Sequence, residues 1–396
     1  MTTSSLSQTG LDRLHRAMVA RVEKGELPGL VTVVARGDEA RFDAIGTMAF
    51  DGAEPVRPDT IFRIASLTKP ILAAATMMLV EDGALALDEP VDRLLPELAG
   101  RRVLRHVDGP LDDTVPARRP IAVEDLLTFR MGHGILTEPT FDPPFPIVQA
   151  AGELQLVLGA PDPRTPHDPD RWIERFGTLP LMYQPGERWQ YNTAALVLGV
   201  LVARAAGQPL EALLGARLFE PLGMRDTGFW MPADRTSRLP TQYVQDFATG
   251  TVGPSTLTGP DVWSRPPAFP SGAGGLVSTG ADYLTFARLL LSGGVHLGKR
   301  LLSERSVEAM TTNHLTPEQI AGGGILLGGS GWGYGMAVTV APDAVSSPGR
   351  YGWSGGYGTT WFNDPSRRLI AIALTQVDAF LWNGGLTEFG ELAAQA

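Results

Sequence analysis

The chain contains no cysteine, so disulfides, a thiolate nucleophile and a cysteine-held metal are excluded. Lysine is nearly absent: Lys24, Lys69 and Lys299 stand against thirty arginines. No apolar run approaches the roughly 20 residues that a membrane-spanning helix needs. Positive charge is in deficit, with a formal net charge of −10, which argues against nucleic acid or an anionic membrane as the main partner. The six histidines (His15, His106, His133, His167, His296 and His314) include no close pair, so neither a metal site nor a metal cofactor is expected. The first residues, Met1 to Leu14, are polar and lack the charged-then-apolar pattern of an export signal, so the expected location is cytoplasmic.

What is present fills 396 residues, too many for one small core, and two closely packed lobes are the default. Leu11, Leu14, Met18 and Val22 fall at helical spacing. Leu30 to Arg36 is rich in valine and reads as a strand, joined through Gly37-Asp38 to a second strand over Arg41 to Phe50. A helix is expected from Ser66 to near Gly83, and short ones over Asp88 to Leu98 and Val123 to Phe129. Met131 to Asp170 is dense in proline and reads as a long loop, with a short helix around Ile147 to Leu158. Tyr191 to Ala206, Leu210 to Leu222, Ala281 to Leu291 and Ser303 to Thr311 read as helices, and Pro232 to Gly275 as irregular. Trp332 to Val340, Gly349 to Ser354, Thr359 to Asn363 and Leu369 to Thr375 read as strands, followed by a helix over Leu386 to Gln395. Strands at both ends joined by short turns predict an α+β fold: an antiparallel sheet flanked by helices and built from both termini, with an inserted, mainly helical lobe. The expected division is 1–85 with 265–396 for the sheet domain, and 86–264 for the helical one.

Ser66-Leu67-Thr68-Lys69 stands between the strand-like Ile61 to Ile64 and the apolar run Ile71 to Val80. Three residues apart on a helix is about 60° around the axis, so the hydroxyl and the amine share a face. Such a pair can activate an alcohol that is otherwise inert at neutral pH. Of the three lysines, only Lys69 has a serine three residues before it. Its apolar surroundings lower its pKa and suit it to act as a neutral base. The bland alternative is a helix cap beside a surface lysine.

Two other patterns fail on context. Gly352-Trp353-Ser354-Gly355-Gly356 fits a nucleophile elbow, but no histidine follows Ser354 to complete the usual triad. Gly293 with Gly298-Lys299-Arg300 is one residue short of a phosphate-binding loop, with Arg300 where a metal-binding Ser or Thr belongs.

The order Ile64-Ala65-Ser66-Leu67-Thr68-Lys69-Pro70, then Gln184-Pro185-Gly186 with Tyr191, then Trp353-Ser354-Gly355 resembles the serine β-lactamase and penicillin-binding-protein-like superfamily. The nearest likeness is to class C β-lactamases and family VIII carboxylesterases. It extends over nearly the whole chain and includes Asp125-Leu126-Leu127-Thr128, Pro221-Leu222-Gly223-Met224 and Ser271-Gly272-Ala273-Gly274-Gly275-Leu276. The resemblance implies Ser66 as the acylated nucleophile, Lys69 as its base or proton partner, and Tyr191 as the general base and acid. It implies an oxyanion hole from the backbone N–H groups of Ser66 and Gly356. Trp353, Ser354, Gly355, Asn192 and Thr193 would contact substrate, and no cofactor or metal is implied. Two positions depart from the superfamily pattern. Thr193 stands where an asparagine is usual, and Trp353 stands where a cation usually holds a substrate carboxylate. Losing that cation removes a contact worth about 1.5–3 kcal/mol, which favours small neutral esters over β-lactams and peptides. The expected activity is therefore a serine carboxylesterase. An acyltransferase, a β-lactamase, amidase or peptidase, and a non-catalytic binding module of the same fold are the alternatives.

Overall fold

Alternating and doubly apolar segments set up one antiparallel sheet. The computed structural model describes residues 5–343 and 345–396. The strands are β1 (Gly29–Arg36), β2 (Glu39–Gly46), β3 (Gly331–Trp332), β4 (Ala337–Val338), β5 (Tyr351–Gly355), β6 (Thr359–Asp364) and β7 (Leu369–Leu374). They lie in the order β3-β4-β5-β6-β7-β1-β2, with every neighbouring pair antiparallel. The first strand is therefore seated between the second and the last: Val33 faces Phe42 on one side and Ile372 on the other. Five helices matter below: α1 (Gln8–Glu23), α2 (Thr68–Glu81), α3 (Thr193–Ala206), α4 (Gly280–Leu291) and α5 (Gly385–Ala393).

Because side chains alternate across a strand, β1 feeds two cores. Leu30 and Val34 pack with Leu14 and Met18 of α1 and Phe389 and Ala393 of α5. Val31 and Val33 point the other way, into a larger core with Ile372, Leu284 of α4 and Ile71 of α2. Helix α2 is apolar all round, and Thr68 through Leu79 are all buried, as expected for a helix enclosed on every side. The same large core continues into the helical part of the chain through Leu126, Ile147, Trp172 and Leu198. Among the described residues no single helix is long and apolar enough to cross a membrane.

The structure differs from the sequence reading in places with physical causes. The expected strand over Trp332 to Val340 is two short strands, β3 and β4. A side chain at Gly333 would strike the Met310 carbonyl, and Gly335 has φ +74°, so the chain turns between them. The expected helix over Asp88 to Leu98 is two single 3₁₀ turns, Val91–Arg93 and Pro96–Leu98, each introduced by a proline-fixed φ. A helix over Pro169–Gly177 was not expected. Asp168 caps it by accepting from the Arg171 amide, and it buries Trp172, Ile173 and Phe176. Tyr243, Trp263 and Phe269, all within the irregular stretch Pro232 to Gly275, are buried in the cores.

His133 is fully buried in the helical part, edge-on to the Phe176 ring at 5.1 Å. Burial, and secondarily the Arg101 guanidinium, lower its pKa from 6.5 to about 3. The unfolded chain binds a proton at His133 below about pH 6.5, whereas the native state does not until near pH 3. This part of the stability is whole above that range and is lost as pH falls through it. We expect His133→Gln to flatten the fall in melting temperature between about pH 6.5 and pH 4. Parallel curves for wild type and variant would contradict this.

Candidate active site

The head of α2 is shaped by strain and by neighbours. Ala65 has φ +45°, a left-handed conformation that non-glycine residues adopt at a cost of about 1–3 kcal/mol. It opens a 3₁₀ turn, Ala65–Leu67, that runs directly into α2 and presents Ser66 half-buried. Three contacts hold this turn. The Thr359 hydroxyl donates to the Ile64 carbonyl at 3.0 Å, and the Tyr283 hydroxyl donates to the Leu67 carbonyl at 3.1 Å. The Leu276 amide donates to the Thr68 hydroxyl at 3.2 Å.

Lys69 lies one turn further and is 1% exposed. Its Nζ is 2.9 Å from the Ser66 Oγ and donates to the Ala273 carbonyl at 2.6 Å. Burial pulls its pKa well below 10.5, and no carboxylate offsets that shift. The Tyr191 ring faces the same amine, with Nζ 4.5 Å from its centroid. Tyr191 is half-buried as a residue, but its hydroxyl end is enclosed. Burial pushes the phenol above its ordinary value of 10, and contacts from the Ser66 and Trp353 side chains oppose that shift without cancelling it. The Trp353 indole N–H donates to the Tyr191 hydroxyl at 2.7 Å. Phe129, Trp189 and Trp332 complete an aromatic enclosure around the Tyr191 ring. The sequence reading missed these three; Trp189 carried the best signal, two residues before Tyr191 in an irregular stretch.

Strand β5 supplies the opposite wall. An added Cβ at Gly355 would strike the Thr359 hydroxyl and the Ile64 carbonyl, so only glycine lets the β5–β6 hairpin lie against the Ser66 turn. Gly356 begins the turn after β5 and is exposed, with open space where a side chain would be. The close approach of Gly355 to Ile64 and Ala65 sets the start of this turn next to the Ser66 turn, and Trp353 is on the same side of the strand as Gly355.

The remaining candidates point elsewhere. Ser354 faces the other side of the hairpin, where its hydroxyl pairs with that of Thr360 at 3.0 Å. A cavity of about 330 Å³ lies there, between the hairpin and α5, away from Ser66. Tyr191 is not helical: α3 starts at Thr193, and Asn192 precedes it with φ +83°. The Asn192 amide donates to the carbonyls of Leu158 at 2.6 Å and Gly159 at 2.9 Å, so both its hydrogens hold a loop and neither is free for substrate. Thr193 is fully buried, with His133 Nδ1 3.4 Å from its hydroxyl. The substrate contacts expected of the Ser354, Asn192 and Thr193 side chains are therefore replaced by structural ones.

The geometry offers an alcohol, a buried amine whose charged form burial disfavours, and a phenol converging at a helix start. The profile of the Beta-lactamase family matches residues 14–386. Protein Rv1367c of Mycobacterium tuberculosis is 40% identical over 370 residues, covering 89% of this chain and 87% of that protein. Esterase EstB of Burkholderia gladioli is 31% identical over 420 residues, covering 98% and 97%. The solved structure of EstCE1, described as a hydrolase with promiscuous acyltransferase activity, superposes with a TM-score of 0.79 at 24% identity, covering 99% of this chain and 100% of that one.

Proposed function

The chain belongs to the beta-lactamase family, and from that premise we propose that it is a serine carboxylesterase working through an acyl-enzyme on Ser66. The observation that carries the reading is the 2.9 Å approach of the buried Lys69 amine to the Ser66 hydroxyl. An amine denied water and a counter-ion favours its neutral form, and a neutral amine can take the serine proton.

Attack by the Ser66 oxygen on the ester carbonyl forms a C–O bond and an oxyanion, with the serine proton passing to Lys69. The amides of Ser66 and Gly356 receive the oxyanion, and the start of α2 adds a favourable field. Collapse breaks the bond to the alcohol. Tyr191, held as a phenol, donates the proton that the alkoxide needs. The transient phenolate is steadied by the Trp353 N–H and by the ammonium over its ring, and Lys69 returns the proton to it. Water then repeats the sequence in reverse to free the acid and Ser66. The opposite perturbations of amine and phenol support reading Lys69 as the base and Tyr191 as the acid of the acylation step.

Trp353 sets the substrate class. Where a cation would grip a carboxylate, an indole spends its donor on Tyr191. Neutral esters lose nothing by this, and anionic lactams and peptides do. Acyl transfer is the second reading, since the same intermediate can pass to an alcohol; the hydrolase EstCE1 is described with such an activity. A fluorophosphonate probe tests the nucleophile without knowledge of the substrate. The label is expected on the peptide carrying Ser66, and labelling confined to another residue would refute the assignment. Adding an acceptor alcohol and measuring product partition separates the two readings.

A further inference from the structure

An apolar cavity of about 170 Å³ is walled by Ile147, Val148, Ala151, Leu158 and Met182, together with Ile135 and Gly159, which bond to the Tyr191–Asn192 segment. Two of its walls hang on the segment that carries Tyr191. The Ile135 amide donates to the Tyr191 carbonyl at 2.9 Å, and Asn192 holds the carbonyls of Leu158 and Gly159. The chain then continues as a strap. Pro161 packs against Gly274, next to the Ala273 carbonyl that receives Lys69. The Pro161 carbonyl accepts from the Tyr357 hydroxyl at 2.7 Å, in the turn that begins with Gly356. Residues 157–161 therefore run from the proton-relay side of the cleft to the oxyanion side, with the cavity behind their first half.

We propose that this cavity receives the acyl group of the ester, and that the group it takes is uncharged, apolar and about the size of a six-carbon chain or a benzene ring. The inference rests on the esterase reading and deepens it. The size follows from volume, since an apolar cavity of about 150 Å³ holds one benzene molecule. The polarity follows from the walls: apart from apolar side chains they present the fully buried His133, whose Nε2 has no partner, and Asp142, which is exposed at the rim. A charged acyl terminus would meet no counter-charge inside.

Hydrolysis of p-nitrophenyl acetate, butyrate, hexanoate and octanoate tests this in wild type, Ala151→Phe and Met182→Ala. One methylene in an apolar pocket is worth roughly 10–200-fold. Filling the cavity with Ala151→Phe should lower the hexanoate-to-acetate ratio of kcat/KM by about tenfold or more, and enlarging it with Met182→Ala should move the optimum toward octanoate. If neither the ratio nor the optimum moves, the cavity is not the acyl site, while Ser66-dependent acetate turnover would leave the esterase reading standing. If Ala151→Phe does not fold, Met182→Ala decides alone. If wild type hydrolyses no ester, the esterase reading falls. Labelling rates of Ser66 with butyl, hexyl and octyl fluorophosphonates then decide the cavity: a hexyl preference lost in Ala151→Phe supports it, and equal rates overturn it.

Discussion

Ser66→Ala is expected to lower turnover of p-nitrophenyl butyrate by roughly 10⁶-fold, the scale seen when a serine nucleophile that works as a unit with its partners is removed. The fold should survive. Ser66 is half-buried and gives up one hydroxyl, while Lys69 keeps the Ala273 carbonyl as a partner. The Ile64 and Leu67 carbonyls that fix the turn accept from Thr359 and Tyr283, not from Ser66. Unchanged thermal unfolding alongside lost turnover would separate chemistry from structure. Residual activity within about tenfold of wild type would move the nucleophile elsewhere, since no general-base effect alone reaches six decades.

The second large effect is opposite in sign for activity and stability. Lys69→Met should cut kcat by about 10²–10⁴-fold, the range of a lost general base. It should also change how stability responds to pH. In the unfolded chain Lys69 is protonated below about pH 10.4. In the native protein burial favours the neutral amine, so the unfolded state binds more protons. Stability of the wild type therefore gains from Lys69 as pH rises from the lowered native value toward the unfolded one, and pays most below that window. Methionine carries no such cost. The difference in melting temperature, variant minus wild type, should shrink as pH is raised from about 6 to 10. A difference that stays constant would mean that the amine is charged in the native state and cannot be the base.

These expectations show which parts of the protein the sequence carries openly. The Ser66–Lys69 pair was legible because helical spacing alone brings the two groups together. The sheet was legible because β1 and β7 are apolar and β6 is a short segment between turns. The role of Asn192 was not. Its position beside Tyr191 suggests a substrate contact, but a backbone at φ +83° aims its amide at residues 158–159, which lie more than thirty positions away. Ser354 was misread for a simpler reason: one residue along a strand exchanges faces, so Trp353 and Ser354 cannot both look into the cleft. The helix over Pro169–Gly177 was legible in principle, since Asp168 and Pro169 are a strong start signal, but the proline-dense stretch before it drew the loop reading past its end.

The placement of β1 has a consequence for biosynthesis. Its partner β2 leaves the ribosome at once, but its other partner, β7, lies more than three hundred residues downstream. At about 5–20 residues per second the first strand waits roughly tens of seconds with one hydrogen-bonding edge unmet. For most of that interval Trp353 and Gly355 are not yet made, so the nascent chain holds an alcohol and an amine with no opposite wall. The two walls of the proposed site therefore meet late, when the last strand closes on the first.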